Sequence, residues 1–298
     1  MRESIVLRQQ LQDSLQDEIA QRIQLHQSKI AALKMCRRTL AVVAPASAPP
    51  LVMLAHGDSW FDYPLDGNRT SLRSTDVIAQ LETMGNINPI ILNVSHHGDA
   101  TTTEMALPKQ QRLIATLQNP ANWLNDKGPD AILFSGGGDD IAGDQFCIFL
   151  DYGAGSGSGL DVARFQKVLG MVQASYLDLF AFRDRYAPNV PIFGHCYDFP
   201  IPNGAHPDCI GPWLQPSLAF CGYTVPQGTA ILQTALTSFK TMLLALANDP
   251  ANQFFLVDTQ GSLAPSDWAN ELHPYPEGFA KIAARFVTPL SGHFPGRI

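Results

Sequence analysis

Five short apolar runs limit what this chain can fold into more than any other feature: LVMLA (51–55), IILNV (90–94), AILFS (131–135), PIFGH (191–195) and QFFLVD (253–258). Each is apolar at both alternations, the pattern of strands buried on both faces of a parallel sheet rather than half-exposed ones. Stretches of helical period separate them, at 75–84, 160–186 and 229–247. This alternation predicts a three-layer α/β/α sandwich around a five-stranded parallel sheet in flavodoxin-like order. Ligands of such sheets bind outside the carboxyl ends of the strands, so the residues following each run are the ones to read for chemistry.

Ahead of the first run, Leu7, Leu11, Leu15, Ile19, Ile23, Ile30 and Leu33 recur at steps of mostly four and three, one face of a long amphipathic helix. The small and proline-rich AVVAPASAPP (41–50) then breaks the pattern, giving an N-terminal helix and linker over 1–45 and one principal domain over 46–298. The helix packs on its own domain or on a second copy, so a homo-oligomer is one expected outcome. A net charge of −7 without a basic run argues against nucleic acid or anionic lipid as a partner. No uninterrupted apolar stretch of transmembrane or signal length is present, and the expectation is a soluble, cytoplasmic chain. The five cysteines lack metal-site spacing, leaving Cys209 with Cys221 as a minority disulfide candidate.

Four strand ends carry reactive residue types. After the first run, AHGDSWFD (55–62) places Ser59 at a glycine-assisted turn, although Gly-Asp-Ser alone is an ordinary turn sequence. After the second, NVSHHGDATT (93–102) holds Gly98, whose small size lets a backbone N–H approach a ligand. After the third comes SGGGDDIAGD (135–144), with the paired Asp139 and Asp140. After the fifth, DWANELHPYPEGF (267–279) sets His273 in a proline-bracketed loop beside acids, a better placed general base than a lone core histidine.

In this order the four segments resemble the SGNH, or GDSL-like, serine esterases and lipases, over about residues 51 to 287. The resemblance implies Ser59 as nucleophile, His273 as its base, and the N–H groups of Ser59 and Gly98 in the oxyanion hole. GGDD (137–140) stands where the family has Gly-x-Asn-Asp, and NELHP (270–274) where it has Asp-x-x-His. Asp139 therefore replaces the usual oxyanion-hole Asn, and Asn270 the usual triad Asp.

Both departures bear on mechanism. An ionised Asp139 repels an oxyanion, whereas a carboxyl kept protonated beside Asp140 donates to it; a side chain rotated away, or a lost activity, are the other outcomes. The Asn270 carbonyl can accept the imidazole N–H but cannot balance an imidazolium, so Asp267, or else Glu271, is the carboxylate expected to assist His273. Trp60, Tyr197, Phe199 and Trp213 are candidates for the substrate wall, the last three from a loop-rich, lid-like insertion at 196–226. The activity expected is hydrolysis of small or medium acyl esters through an acyl-enzyme, with no cofactor and no metal. Two alternatives are a catalytically impaired binding protein and a metal-dependent phosphoesterase using His56, Asp58, His97, Asp99 and Asp139.

Overall fold

The computed structural model describes residues 2–40, 48–63, 76–125, 127–153, 159–205 and 211–298, with side chains of the N-terminal helix described from 14 to 39. Five strands, β1 (Val52–Gly57), β2 (Ile90–Asn93), β3 (Ala131–Ser135), β4 (Ile192–His195) and β5 (Phe254–Val257), form one sheet in the order β2-β1-β3-β4-β5. Every pairing is parallel. The three central strands are buried at every position, which is why their sequences read as continuous apolar runs. At the edge, β5 exposes Phe255.

The helices are α1 (Arg2–Leu40), α2 (Val77–Leu81), α3 (Thr101–Glu104), α4 (Leu107–Gln118), α5 (Gly138–Ile141), α6 (Val162–Tyr186), α7 (Gln215–Phe220), α8 (Val225–Ala247) and α9 (Pro276–His293). Right-handed crossovers that step one way from β1 to β2 and the other way from β2 onward put helices on opposite faces. Accordingly α2 packs against α9 in one layer, while α6 contacts α3, α4 and α8 in the other. The direction reverses between β1 and β3, and the crevice at that switch point is where such sheets bind ligands.

Among the described residues α8 alone has the length and apolarity to cross a membrane. Its buried Ile231, Leu232, Ala235, Leu236, Phe239 and Leu243 recur at helical spacing and face the core, and α8 packs on β5. Its start is fixed by a capping box, Thr224 with Gln227.

Of the two arrangements open to the N-terminal helix, the structure shows packing on its own domain. α1 lies against β2 and the turn at Pro120–Asn122, with Ile19 and Ile30 in the core and Leu15 and Ile23 packed beside them. Burying two isoleucines contributes roughly 2 kcal/mol each. His26 on the same face hydrogen-bonds the Asn122 carbonyl (2.8 Å), and burial lowers its pKa to about 4. The Leu7 and Leu11 side chains and Cys209 lie outside the described residues; Cys221 is buried as a free thiol. The 196–226 region is less loop-like than its composition suggests, since it contains α7 and the start of α8.

Candidate active site

Gly57 ends β1 with φ +154°, and a Cβ there would meet the Ser135 carbonyl oxygen at 2.3 Å. Only glycine lets the chain turn so close to β3. The turn is held by the Asp58 N–H, which donates to that carbonyl (3.0 Å), and it presents Ser59 at the switch point. The Ser59 hydroxyl lies 2.7 Å from His273 Nε2, a contact made across 214 residues of sequence.

His273 is buried in the loop between β5 and α9. Asn270 governs its ring. The Asn270 Oδ1 accepts the backbone N–H groups of Leu272 (2.9 Å) and His273 (2.8 Å), while Nδ2 donates to the Tyr63 hydroxyl (3.0 Å). These bonds fix which end of the amide is oxygen, and that oxygen is 3.2 Å from His273 Nδ1. The proton therefore sits on Nδ1, and Nε2 keeps its lone pair for the Ser59 hydroxyl. Burial, with His97 nearby, pushes the imidazole pKa down to about 3.

Neither carboxylate expected at this ring reaches it. Asp267 is held by Lys281 Nζ (2.6 and 2.8 Å) and accepts the Ala264 N–H (2.7 Å). Glu271 turns the other way and takes four backbone N–H groups of the loop after β4. The preference for Asp267 is thus overturned by a lysine that α9 brings alongside. Asn270 is the ring's neighbour.

Asp139, on α5, lines the same cleft as Ser59 and His273. Burial, then Asp58 and Asp140, push its carboxyl up to about 8. Asp140 is turned away and accepts the N–H (2.8 Å) and hydroxyl (2.9 Å) of Thr101. Asp58 accepts the Trp60 N–H (3.0 Å), the Ser135 hydroxyl (2.7 Å) and the Tyr197 hydroxyl, yet burial still raises it to about 6. Behind them Glu104 is fully buried with neither carboxyl oxygen hydrogen-bonded, and burial raises its pKa well above the usual range. No lysine, arginine or histidine pairs with these four acids among the described residues.

Gly98 follows β2 with φ +77°, and nothing lies within 4 Å of where its Cβ would stand. Its neighbour His97 has Nδ1 3.5 Å from Asp62. Asp62 in turn binds Arg22 of α1 (2.6 Å), whose other nitrogen donates to the Ser95 carbonyl (3.2 Å). One partly buried guanidinium thus joins the loops carrying Ser59 and Gly98.

The cleft encloses a cavity of about 50 Å³. Of the four aromatic candidates Trp60 and Tyr197 line it, whereas Phe199 and Trp213 do not; the Trp213 ring instead lies edge-on to His273 (5.6 Å). The apolar wall comes from Ile141, Pro200, Leu214, Leu232, Leu236 and Leu272. Leu232 and Leu236 were missed in the sequence because one turn of α8 looks like any core helix. The metal alternative fails on geometry: His56 bonds the Glu104 carbonyl (3.1 Å), Asp99 pairs with Lys109, and His97 faces Asp62. Among the described residues no three His, Cys, Asp or Glu side chains are placed to share an ion.

No protein-family model and no curated protein matches the sequence. Among solved structures, an extracellular lipase from Streptomyces rimosus superposes over 80% of this chain and 99% of its own, with a TM-score of 0.50 and 15% identity. Phospholipase A1 from Streptomyces albidoflavus NA297 matches over 80% and 99%, with a TM-score of 0.50 and 14% identity. This is the SGNH hydrolase fold. The segments that resemble the SGNH blocks follow β1, β2, β3 and β5.

Proposed function

We propose that this chain hydrolyses carboxylic esters of small or medium acyl groups through an acyl-Ser59 intermediate. The observation that carries the reading is the 2.7 Å hydrogen bond from Ser59 to a His273 whose tautomer Asn270 fixes. In acylation Nε2 takes the Ser59 proton as Oγ attacks the ester carbonyl. The oxyanion is met by the N–H groups of Ser59 and Gly98 and by a protonated Asp139 carboxyl. Collapse expels the alcohol, which takes the proton from His273; water, deprotonated by the same nitrogen, then releases the acid. The mostly apolar cleft favours an uncharged acyl chain over a phosphate or sugar.

Because nucleophile and base act as one unit, Ser59→Ala and His273→Ala should each lower p-nitrophenyl ester turnover by at least about a thousandfold, and together little more. Unchanged turnover in Ser59→Ala ends the reading. A binding protein of the same fold is the second reading, favoured by one observation: the group at His273 Nδ1 is the neutral Asn270 amide, and among the described residues no carboxylate pairs with the ring. Ester turnover that depends on Ser59 eliminates it.

A further inference from the structure

Glu271 sits two residues before the proposed base and is fully buried, yet its carboxylate does not face the imidazole. Oε1 accepts the N–H groups of Gly204 (3.0 Å) and Gln215 (2.9 Å), and Oε2 those of Trp213 (2.7 Å) and Leu214 (2.9 Å). The Glu271 N–H itself donates to the Ala205 carbonyl (3.0 Å). The four donors come from Gly204 and from Trp213, Leu214 and Gln215, so one side chain ties Gly204, in the loop after β4, to the start of α7. A carboxylate offers about four acceptor sites, and here all four are filled. Four converging N–H dipoles make a ready counter-charge for it.

What the clasp holds is part of the cleft. Leu214, whose N–H is one of the four, lines the cleft together with Ile141 and the α8 leucines, and Trp213 packs its ring against His273. We propose that Glu271 is a specificity-determining, positioning residue: by fixing Leu214 it sets the depth of the acyl-binding cleft. The inference rests on the esterase reading. A glutamine at 271 keeps the length but turns one acceptor oxygen into a donor, so two of the four N–H groups face an N–H₂ instead of a lone pair. The stretch from Trp213 to Gln215 then loosens and Leu214 leaves its place on the wall. A short acyl chain that does not reach Leu214 is little affected; a longer one loses its contact.

The experiment compares kcat/KM for p-nitrophenyl acetate and p-nitrophenyl hexanoate in wild type, Glu271→Gln and Leu214→Ala. The hexanoate-to-acetate ratio should fall about tenfold in both variants, the effect of losing one or two methylene contacts. The loss should appear mainly in KM for hexanoate. A role confined to stability lowers both esters together and leaves the ratio alone. Where Glu271→Gln does not fold, Glu271→Asp, which keeps the acceptors but withdraws them by one methylene, is read the same way. An active wild type whose ratio is unchanged in the Glu271 variant overturns the inference alone. A wild type that turns over neither ester overturns the esterase reading and the inference with it.

Discussion

The loop that carries His273 and the short helix that carries Asp139 line one cleft, and they treat carboxylates in opposite ways. On the base side every acid is compensated: Lys281 and a backbone amide hold Asp267 below the usual carboxyl range, and four amides surround Glu271. Those charges are spent locally and none reaches the imidazole. On the other side Asp58 and Asp140 accept hydrogen bonds, yet among the described residues neither they nor Asp139 and Glu104 pair with a cation, and burial pushes all four upward. A carboxylate beside a lysine is held down, as Asp267 is; buried acids crowded together without a cation are pushed toward the protonated form even where hydroxyls and amides donate to them. In our reading the amide and the carboxyl of the SGNH pattern have traded places. On the proposed mechanism Asn270 accepts from the base and a neutral Asp139 donates to the oxyanion, so the hydrogen-bond sense at each position is preserved while the charge is withdrawn.

The largest break in this comparison comes from restoring charge behind the base. Asn270→Asp should raise turnover at pH 7 by about tenfold, the worth of one charge-assisted over one neutral hydrogen bond to the imidazolium. It should also move the acid limb of the pH profile upward. The sign follows from the base being active when neutral: in wild type a pKa near 3 keeps His273 neutral down to strongly acidic pH, and a carboxylate beside it raises that value. Loss of activity in Asn270→Asp, with the limb unmoved, breaks the account of the base side.

The next effect belongs to Asp139. A donor with a pKa near 8 is present below that pH and lost as pH rises through it, so wild-type turnover should fall above about pH 8. Asp139→Asn supplies a donor that does not titrate and should be about tenfold more active than wild type at pH 9, where roughly a tenth of the carboxyls remain neutral. Superimposable profiles leave the oxyanion to the Ser59 and Gly98 amides.

The smallest effect on turnover is expected far from the cleft. Arg22→Met removes the link between the Asp62 and Ser95 loops and leaves Asp62 buried with a diminished counter-charge. It should cost about 3 kcal/mol in chemical denaturation while lowering kcat only severalfold and leaving KM unchanged. A variant as stable as wild type shows that α1 adds nothing to the loops around Ser59.

The central strands were legible because a strand buried on both faces must be apolar throughout; Ser59 and Asp139 stood out because each follows such a strand, and His273 and Asn270 because they follow the apolar edge strand β5. The partners of the carboxylates were not. Asp267, Glu271 and Asn270 fall within five residues and look interchangeable, yet what each faces is decided elsewhere: by Lys281 one helix on, by amides near residue 213, and by Tyr63 across the core. The short helix Thr101–Glu104 carries no periodic signal, and nothing local marks Glu104 as an acid buried without a partner. Arg22 likewise reads as one more polar residue on an amphipathic helix until the fold sets it beside Asp62.

The most direct test of the account is a mass measurement on the reacting protein. Acid-quenching the reaction with p-nitrophenyl butyrate within the first turnovers, followed by intact-mass and peptide analysis, should show one butyryl group per chain, carried on the peptide containing Ser59 and absent from Ser59→Ala. An acyl group on another residue, or steady release of p-nitrophenol by Ser59→Ala, contradicts it.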